Sequence, residues 1–181
     1  MTTTAQDTDL RYPVGKFSFD GPISEADYPK FVAAIAETPG ALRAAVAGLS
    51  RDQLETRYRP GGWTVKQVVH HVPDSHMNAY TRFKLALTED EPTIKTYEEA
   101  EWAELPDSQK VPIEVSLDLL DALHVRWVTL LRSMEPADFR RGLRHPEHGR
   151  VLTLAQMLGL YAWHGRHHVA HITSLRKREG W

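Results

Sequence analysis

The chain has 181 residues, a length suited to one domain, and its 41% hydrophobic and 25% charged residues are a globular rather than a disordered balance. The formal net charge of −2, with lysine and arginine scattered along the chain, argues against a nucleic-acid-binding surface. The sequence contains no cysteine, which excludes disulfides, thiolate metal ligands and a cysteine nucleophile within the chain.

The amino-terminal residues 1 to 10 are polar, and we predict a disordered tail there. They lack the apolar stretch of a secretory signal, and no apolar run in the sequence is long enough to cross a bilayer. We therefore expect a cytoplasmic protein with neither a membrane nor a nucleic-acid partner.

The first helix is predicted to follow Ser24, which is a candidate N-cap. Its apolar residues recur at the spacing of one helical face, namely Phe31, Ile35, Leu42, Val46 and Leu49. Pro39 and Gly40 interrupt this pattern, and they predict a kink or a break. Ser50 to Gln53 has the form of a capping box, although the segment after it is short.

The second helix is predicted to begin after Thr64 and to reach about Leu87. Pro73 lies inside it and predicts a bend near His71. The acidic residues 88 to 112 contain three prolines, so we predict a long loop with a short helix near Glu98 to Trp102. A loop of this length in a compact domain is often a lid or an interface.

Two further long helices complete the prediction, one over about residues 113 to 134 and one from Thr153 to about Arg178, with Gly180 as its stop. Between them, residues 145 to 149 form a turn between two short extended pieces. Four amphipathic helices without strand alternation predict an all-α four-helix bundle, and we expect a single domain over residues 1 to 181.

Histidines are concentrated on the last helix. At about 100° per residue, His168 falls near the centre of the buried stripe and His164 about 50° to one side. His167 is predicted to face outward, and His171 is intermediate. Neutral imidazoles suit zinc, nickel or iron(II), so the pair His164 and His168 is a candidate ligand pair. The alternative is a pair of core histidines that bond to the backbone or to each other.

The second helix offers further candidate ligands. His71 lies at the edge of the apolar stripe and His76 within it, whereas His70 is opposite the stripe and is expected to face solvent. A polar line runs beside the stripe, and it consists of His71, Ser75, Asn78 and Arg82. Two interpretations of this line are open, namely the rim of a cavity between helices and a solvated helix face. A site with three histidines and open positions has a catalytic form, whereas a fourth ligand such as His76 or His171 would make it structural.

The histidine motifs also carry a family resemblance. Residues 61–71, which read Gly-Gly-Trp-Thr-Val-Lys-Gln-Val-Val-His-His, resemble the first signature of the YfiT-like branch of the DinB superfamily, together with residues 74–78 and 82–85. Residues 163–172, which begin Trp-His-Gly-Arg-His-His, resemble its second signature. The arm at residues 12–15 matches as well, so the resemblance covers nearly the whole chain.

The resemblance implies a DinB-like four-helix bundle, a homodimer, and one divalent metal ion per subunit bound by His71, His164 and His168. Periodicity by itself leaves His71 and His76 as rivals, and the resemblance favours His71. Zinc is the expected ion, with nickel or iron as alternatives. Tyr97 and Trp102 in the long loop are candidates for the dimer interface, although the loop is equally compatible with a mobile surface segment.

Similar proteins have been described as metal-dependent hydrolases, and some DinB-like proteins transfer low-molecular-weight thiols such as bacillithiol. From this resemblance we favour transfer of a thiol to an electrophilic small molecule. Arg82 is the candidate that would hold a carboxylate of the thiol. The first alternative is a hydrolase that uses a metal-activated water, with Asp74 as the candidate base. The second alternative is a metal-stabilised binding bundle without enzymatic activity.

Overall fold

The computed structural model of the protein describes residues 9–21 and 23–181, so most of the predicted tail at residues 1 to 10 lies outside the described residues. Within these ranges the chain forms seven α-helices and two strands. They are α1 (Tyr28–Val46), α2 (Arg51–Leu54), α3 (Val65–Thr88), α4 (Glu99–Trp102), α5 (Pro106–Lys110), α6 (Ile113–Ser133), β1 (Gly142–His145), β2 (Arg150–Thr153) and α7 (Leu154–Glu179).

The four long helices form the bundle that the sequence predicts. Helix α1 packs against α6 and α7, and α3 packs against the same two helices. Fully buried side chains such as Phe83 and Trp127 fill one end of the core, and Val68, Leu120 and Ile172 fill the other. Burial of these apolar surfaces is the main driving force for the packing. None of the described helices has the length and hydropathy of a membrane-spanning segment.

The starts of α3 and α7 follow the predicted capping residues, whereas Ser24 caps a 3-10 turn, Glu25–Asp27, that precedes α1. Thr64 caps α3 by accepting the backbone N–H of Gln67 at 3.1 Å, and Thr153 caps α7 by accepting that of Gln156 at 3.2 Å. In both cases the glutamine side chain accepts the backbone N–H of the cap, which completes a capping box. Helix α7 ends before Gly180, whose φ of 73° lies in the left-handed region that favours glycine.

The break that the sequence allows at Pro39 does not occur, because α1 runs unbroken through this buried residue. Proline has no N–H, so it leaves the carbonyl of Ile35, one turn earlier, without its helical partner. The Nδ1 atom of His124 on α6 donates to that carbonyl at 2.9 Å. A side chain from a neighbouring helix therefore takes the place of the missing backbone donor. Pro73 likewise lies within an unbroken α3.

The long segment between α3 and α6 is more ordered than the predicted loop. It contains the predicted short helix, α4, and a second one, α5, that begins at Pro106. Its first part runs along β1, where Arg144 donates its N–H to Pro92 and accepts that of Ile94. The antiparallel pair β1–β2 confirms the two extended pieces that were expected around the turn at residues 145 to 149.

The homodimer stays a prediction, since the structure describes one chain. Of the two interface candidates, Trp102 is 37% exposed, and its ring packs against that of Tyr97 with centroids 4.5 Å apart. An exposed tryptophan on this segment is compatible with an interface and with a solvent-exposed surface alike.

Helices α1 and α7 are in close contact at Gly165, the residue after His164. A Cβ atom at this position would overlap the Oγ1 atom of Thr38 and lie 2.8 Å from its Cγ2 atom. Thr38 is 3% exposed, and its hydroxyl donates to the carbonyl of Ala34 at 3.0 Å. The threonine therefore has little room to move away, and only glycine fits here.

Gly165→Ala should lower the free energy of unfolding by about 1 kcal/mol, because an overpacking cost of about 2 kcal/mol, the middle of the usual range, exceeds the gain in helix propensity of about 1 kcal/mol. Urea unfolding followed by circular dichroism would measure this change. Gly40→Ala on α1 is the matched control, since a Cβ atom there meets nothing within 4 Å. The control should be as stable as the parent protein or more stable. A Gly165→Ala variant that is as stable as Gly40→Ala would contradict the close contact.

Candidate metal centre

Three imidazole rings converge from two helices of the bundle. Helix α3 contributes His71 and α7 contributes His164 and His168, and one ring nitrogen of each lies within 4.8 Å of the other two. The Nε2 atoms of His71 and His164 are 3.4 Å apart. Ligand nitrogens in a tetrahedral site with bonds of 2.0–2.1 Å are about 3.3–3.4 Å apart. The donor set therefore fits a divalent metal ion without a large rearrangement.

Burial keeps these rings neutral. It lowers the pKa of His71 to about 3, and it holds the pKa values of His164 and His168 well below their usual range. Repulsion from neighbouring imidazoles, were they charged, acts in the same direction. A neutral imidazole has the free lone pair that a metal ligand needs, so the three rings are in the ligating form at neutral pH.

The local sequence explains how the rings meet. Residues four apart on a helix lie one above the other, and the ring centroids of His164 and His168 are 4.4 Å apart. Trp63, which precedes the cap of α3, packs its ring 4.6 Å from that of His71. Pro73 is two residues further along α3, and His71 nevertheless lies within the group.

His76, the rival ligand, lies behind the group rather than in it. It is fully buried, and its Nε2 atom is 3.1 Å from the Nδ1 atom of His164. The structure thus brings together the three residues that the resemblance indicates and uses His76 as a hydrogen-bond partner of one of them.

The expectation that His70 and His167 face solvent is wrong, because they are only 5% and 7% exposed. The Nδ1 atom of His70 lies 2.7 Å from the hydroxyl of Ser116 on α6. The ring of His167 stacks on Trp163 with centroids 4.2 Å apart. Helical periodicity assumes one buried face, whereas a second helix covers α3 and the amino-terminal arm, through Tyr12, covers α7.

A second group of ring nitrogens on α7 comes from His167, His168 and His171. It shares His168 with the first group, and a neutral imidazole has a single lone pair, so both groups cannot use this ring at once. The Nε2 atom of His171 donates to the carbonyl of Arg11 at 3.1 Å, which ties it to the amino-terminal arm. The first group, which joins two helices, is the better candidate.

The polar line of α3 reaches the centre and continues past it. The hydroxyl of Ser75 is 3.3 Å from the Nε2 atom of His164, and Arg82 is 7% exposed. The guanidinium donates to the carbonyl of Lys95 at 3.1 Å, but its Nε atom is buried without a partner in residues 9–21 and 23–181. No carboxylate in these ranges lies within 4.0 Å of it. Burial of Arg82 therefore excludes a solvated helix face for this end of the line. Asn78 instead donates to the backbone of Asp74.

Two phenols and a carboxyl group border the same region. Burial raises the pKa of Tyr161, whose ring lies 5.5 Å from that of His164, and the nearby charge of Arg82 opposes the shift. Burial also raises the pKa of Tyr97, which has Ser75 nearby. Asp74 is half-buried, and burial, followed by repulsion from Asp107, raises its pKa to about 6. The phenols thus remain hydrogen-bond donors, while Asp74 can exchange a proton near neutral pH.

Tyr161 and His124 were not among the sequence candidates, because both belong to apolar helix faces. The sequence could have indicated Tyr161, because it lies three residues before His164 and therefore on the same face of α7. For His124 no local signal exists, since its partners lie on other helices.

Comparisons with known proteins agree with this geometry. The profile of the DinB superfamily matches residues 34–172. A protein of Bacillus mycoides is 59% identical over 173 residues, which cover 96% of this chain and 99% of that protein, and a Bacillus cereus protein is 58% identical over the same shares. Both names assign their proteins provisionally to the metal-dependent hydrolases. The solved structure of YfiT from Bacillus subtilis is 48% identical, with a TM-score of 0.92 over 95% of this chain and 98% of that one. It is described as "a probable metal-dependent hydrolase with an unusual four-helix bundle topology".

Proposed function

Since this chain belongs to the YfiT-like branch of the DinB superfamily, we propose that it is a metal-dependent enzyme whose divalent ion is held by His71, His164 and His168. The convergence of three neutral imidazoles from α3 and α7, two of them buried and that of His164 half-buried, supports this assignment. Zinc is the expected ion, with nickel or iron(II) as alternatives, because all three bind imidazole well.

The proposed reaction is the transfer of an anionic, low-molecular-weight thiol of the bacillithiol type to an electrophilic small molecule. The observation that carries it is the buried Arg82, whose charge acts on Tyr161, a ring neighbour of His164. Its guanidinium forms no ion pair within 4.0 Å in the described residues, and the carboxyl group of Glu99 lies further away. A buried cation of this kind is costly unless an anion compensates it, and a substrate carboxylate would do so. A divalent ion supplies a Lewis acid that lowers the pKa of a thiol.

The residues of the chain have separable roles in this reaction. Arg82 binds the carboxylate of the thiol and orients it, while the neutral phenols of Tyr97 and Tyr161 donate hydrogen bonds to substrate oxygens. Asp74, with a pKa near 6, accepts the proton that leaves the thiol. The sulfur then forms a bond to the electrophilic carbon, and the leaving group departs with the electron pair of the broken bond.

The test is a conjugation assay with monochlorobimane and a series of small thiols. Metal-loaded protein should accelerate formation of the fluorescent conjugate above the uncatalysed rate, and it should do so best with a thiol that bears a carboxylate. Protein stripped of metal by a chelator should lose the acceleration, and added metal should restore it. Absence of any metal-dependent thiol consumption would overturn the proposal of transfer.

Hydrolysis by a metal-activated water is the second candidate, and the position of Asp74 favours it. A carboxyl group with a pKa near 6, three residues after His71 on the same helix, can serve as the base for a water nucleophile. The names of the relatives point the same way. Metal-dependent cleavage of simple esters or amides, without thiol consumption, would select this reaction. Metal binding with neither activity would favour a non-enzymatic binding bundle.

A further inference from the structure

A continuous row of hydrogen bonds leads from the metal centre across the bundle. The Nδ1 atom of His164 is 3.1 Å from the Nε2 atom of His76, and the Nδ1 atom of His76 is 2.8 Å from the Nε2 atom of His124. The Nδ1 atom of His124 is in turn 2.9 Å from the carbonyl oxygen of Ile35. The four residues lie on α7, α3, α6 and α1, so each helix of the bundle contributes one member.

The carbonyl oxygen of Ile35 determines which atoms donate and which accept along the whole row of hydrogen bonds. A carbonyl oxygen only accepts, so the Nδ1 atom of His124 must carry the proton, and the Nε2 atom of a neutral His124 must accept. The Nδ1 atom of His76 therefore donates to His124, and its own Nε2 atom accepts from His164. The proton of His164 is then on Nδ1, which leaves the lone pair of its Nε2 atom facing His71.

We propose that His76 and His124 are positioning residues that fix the tautomer and the ring orientation of His164, so that its Nε2 lone pair faces the metal. This inference rests on the metal site proposed above, but it concerns residues that contact neither metal nor substrate. Metal-bound histidines commonly donate their second N–H to a fixed acceptor, and here two further imidazoles and a backbone carbonyl form that acceptor.

Burial of the row favours one tautomer of His164 over the other. His76 and Ile35 are completely buried and His124 is 3% exposed, so water has little access to substitute for a lost partner. If His164 carried its proton on Nε2 instead, its Nδ1 lone pair would face the lone pair of His76. One buried hydrogen bond would be lost, and the metal-facing nitrogen would carry a proton.

Pro39 explains why the carbonyl is available. It occupies the position whose N–H would otherwise bond to Ile35, and burial of the proline keeps water from that carbonyl. The residue that the sequence marks as a helix breaker thus supplies the fixed acceptor at the end of the row.

The first test measures the tautomer of His164 in metal-free protein by NMR of ¹⁵N-labelled histidine. We expect the proton on Nδ1 and a non-protonated Nε2 atom, with the same tautomer at His76 and His124. A His164 protonated mainly on Nε2 would overturn the proposal. This measurement needs no bound metal, so it is independent of whether the proposed enzyme activity exists.

The second test breaks the row at His124, which touches no proposed ligand. His124→Phe should weaken metal binding about 10- to 100-fold in competition with a chromophoric chelator, as loss of outer hydrogen-bond partners does. His124→Gln keeps a donor and an acceptor on one planar group, and it should bind within about threefold of the parent, a smaller loss than that of His124→Phe. His70→Phe is the matched control, because His70 is equally buried and contacts α6 but lies outside the row.

The comparison separates positioning from general stability. Equal affinity of folded His124→Phe and the parent would overturn the proposal, as would equal weakening in the glutamine and phenylalanine variants. If His124→Phe does not fold, the tautomer in the parent protein decides. If the parent binds no metal, the proposed function fails, while the tautomer measurement still tests the row of hydrogen bonds.

Discussion

His168→Ala should remove most of the bound metal while the protein stays helical. The variant removes one of three converging ligands, so only the nitrogens of His71 and His164 remain to bind the divalent ion. We expect affinity to fall more than about 100-fold, beyond the range of outer-partner substitutions. The helices themselves are held by two apolar clusters in which this ring is not a member.

Metal content after dialysis, measured by mass spectrometry, would test this result, with circular dichroism as the check on folding. His71→Ala and His164→Ala should behave in the same way, whereas His148→Ala, at an exposed position on the hairpin turn, should bind normally. Added metal should also raise the melting temperature of the parent but not that of His168→Ala, because only binding to the folded state stabilises it. Full metal retention in His168→Ala would remove the central assignment.

Arg82→Ala should lower kcat/KM for a carboxylate-bearing thiol by about 10- to 100-fold, mainly through a higher KM, with metal content unchanged. A hydrogen bond to a charged group contributes about 1.5–3 kcal/mol, and loss of that energy corresponds to this range. Arg82→Lys should restore part of the effect, since it keeps the charge but not the planar, bidentate geometry. Steady-state conjugation kinetics would measure all three proteins.

This prediction has two controls, one a different substrate and the other a different variant. A neutral thiol without the carboxylate should be used almost equally well by the parent and by Arg82→Ala. Arg126→Ala removes an exposed arginine that lies over the ring of Tyr80, and it should leave the kinetics unchanged. An equal loss with neutral and anionic thiols would show that Arg82 supports the fold of the site instead of binding the carboxylate.

Much of the fold is readable from the sequence because local interactions determine it. The capping residues Thr64 and Thr153 and the terminator Gly180 act within one turn of their own helix, so their effects do not depend on distant contacts. The α5 helix was missed because its five residues carry little periodic signal. Of the two outcomes predicted at Pro39, a break was wrong, since the partner that compensates for its missing N–H lies on another helix.

For the candidate metal site, too, some features follow from local helix geometry and others from contacts between helices. The sequence by itself determined that His164 and His168 share one face of a helix, because their spacing of four residues is a property of the helix alone. Helical spacing left His71 and His76 as rivals, although the resemblance favoured His71. The tertiary structure shows that His71 joins the pair, that His76 is a hydrogen-bond partner of His164, and that His70, His167 and Arg82 are buried. Packing of α3 and α7 against their neighbours determines which of these side chains are buried and which lie together. The spacing of residues along a single helix does not specify that packing.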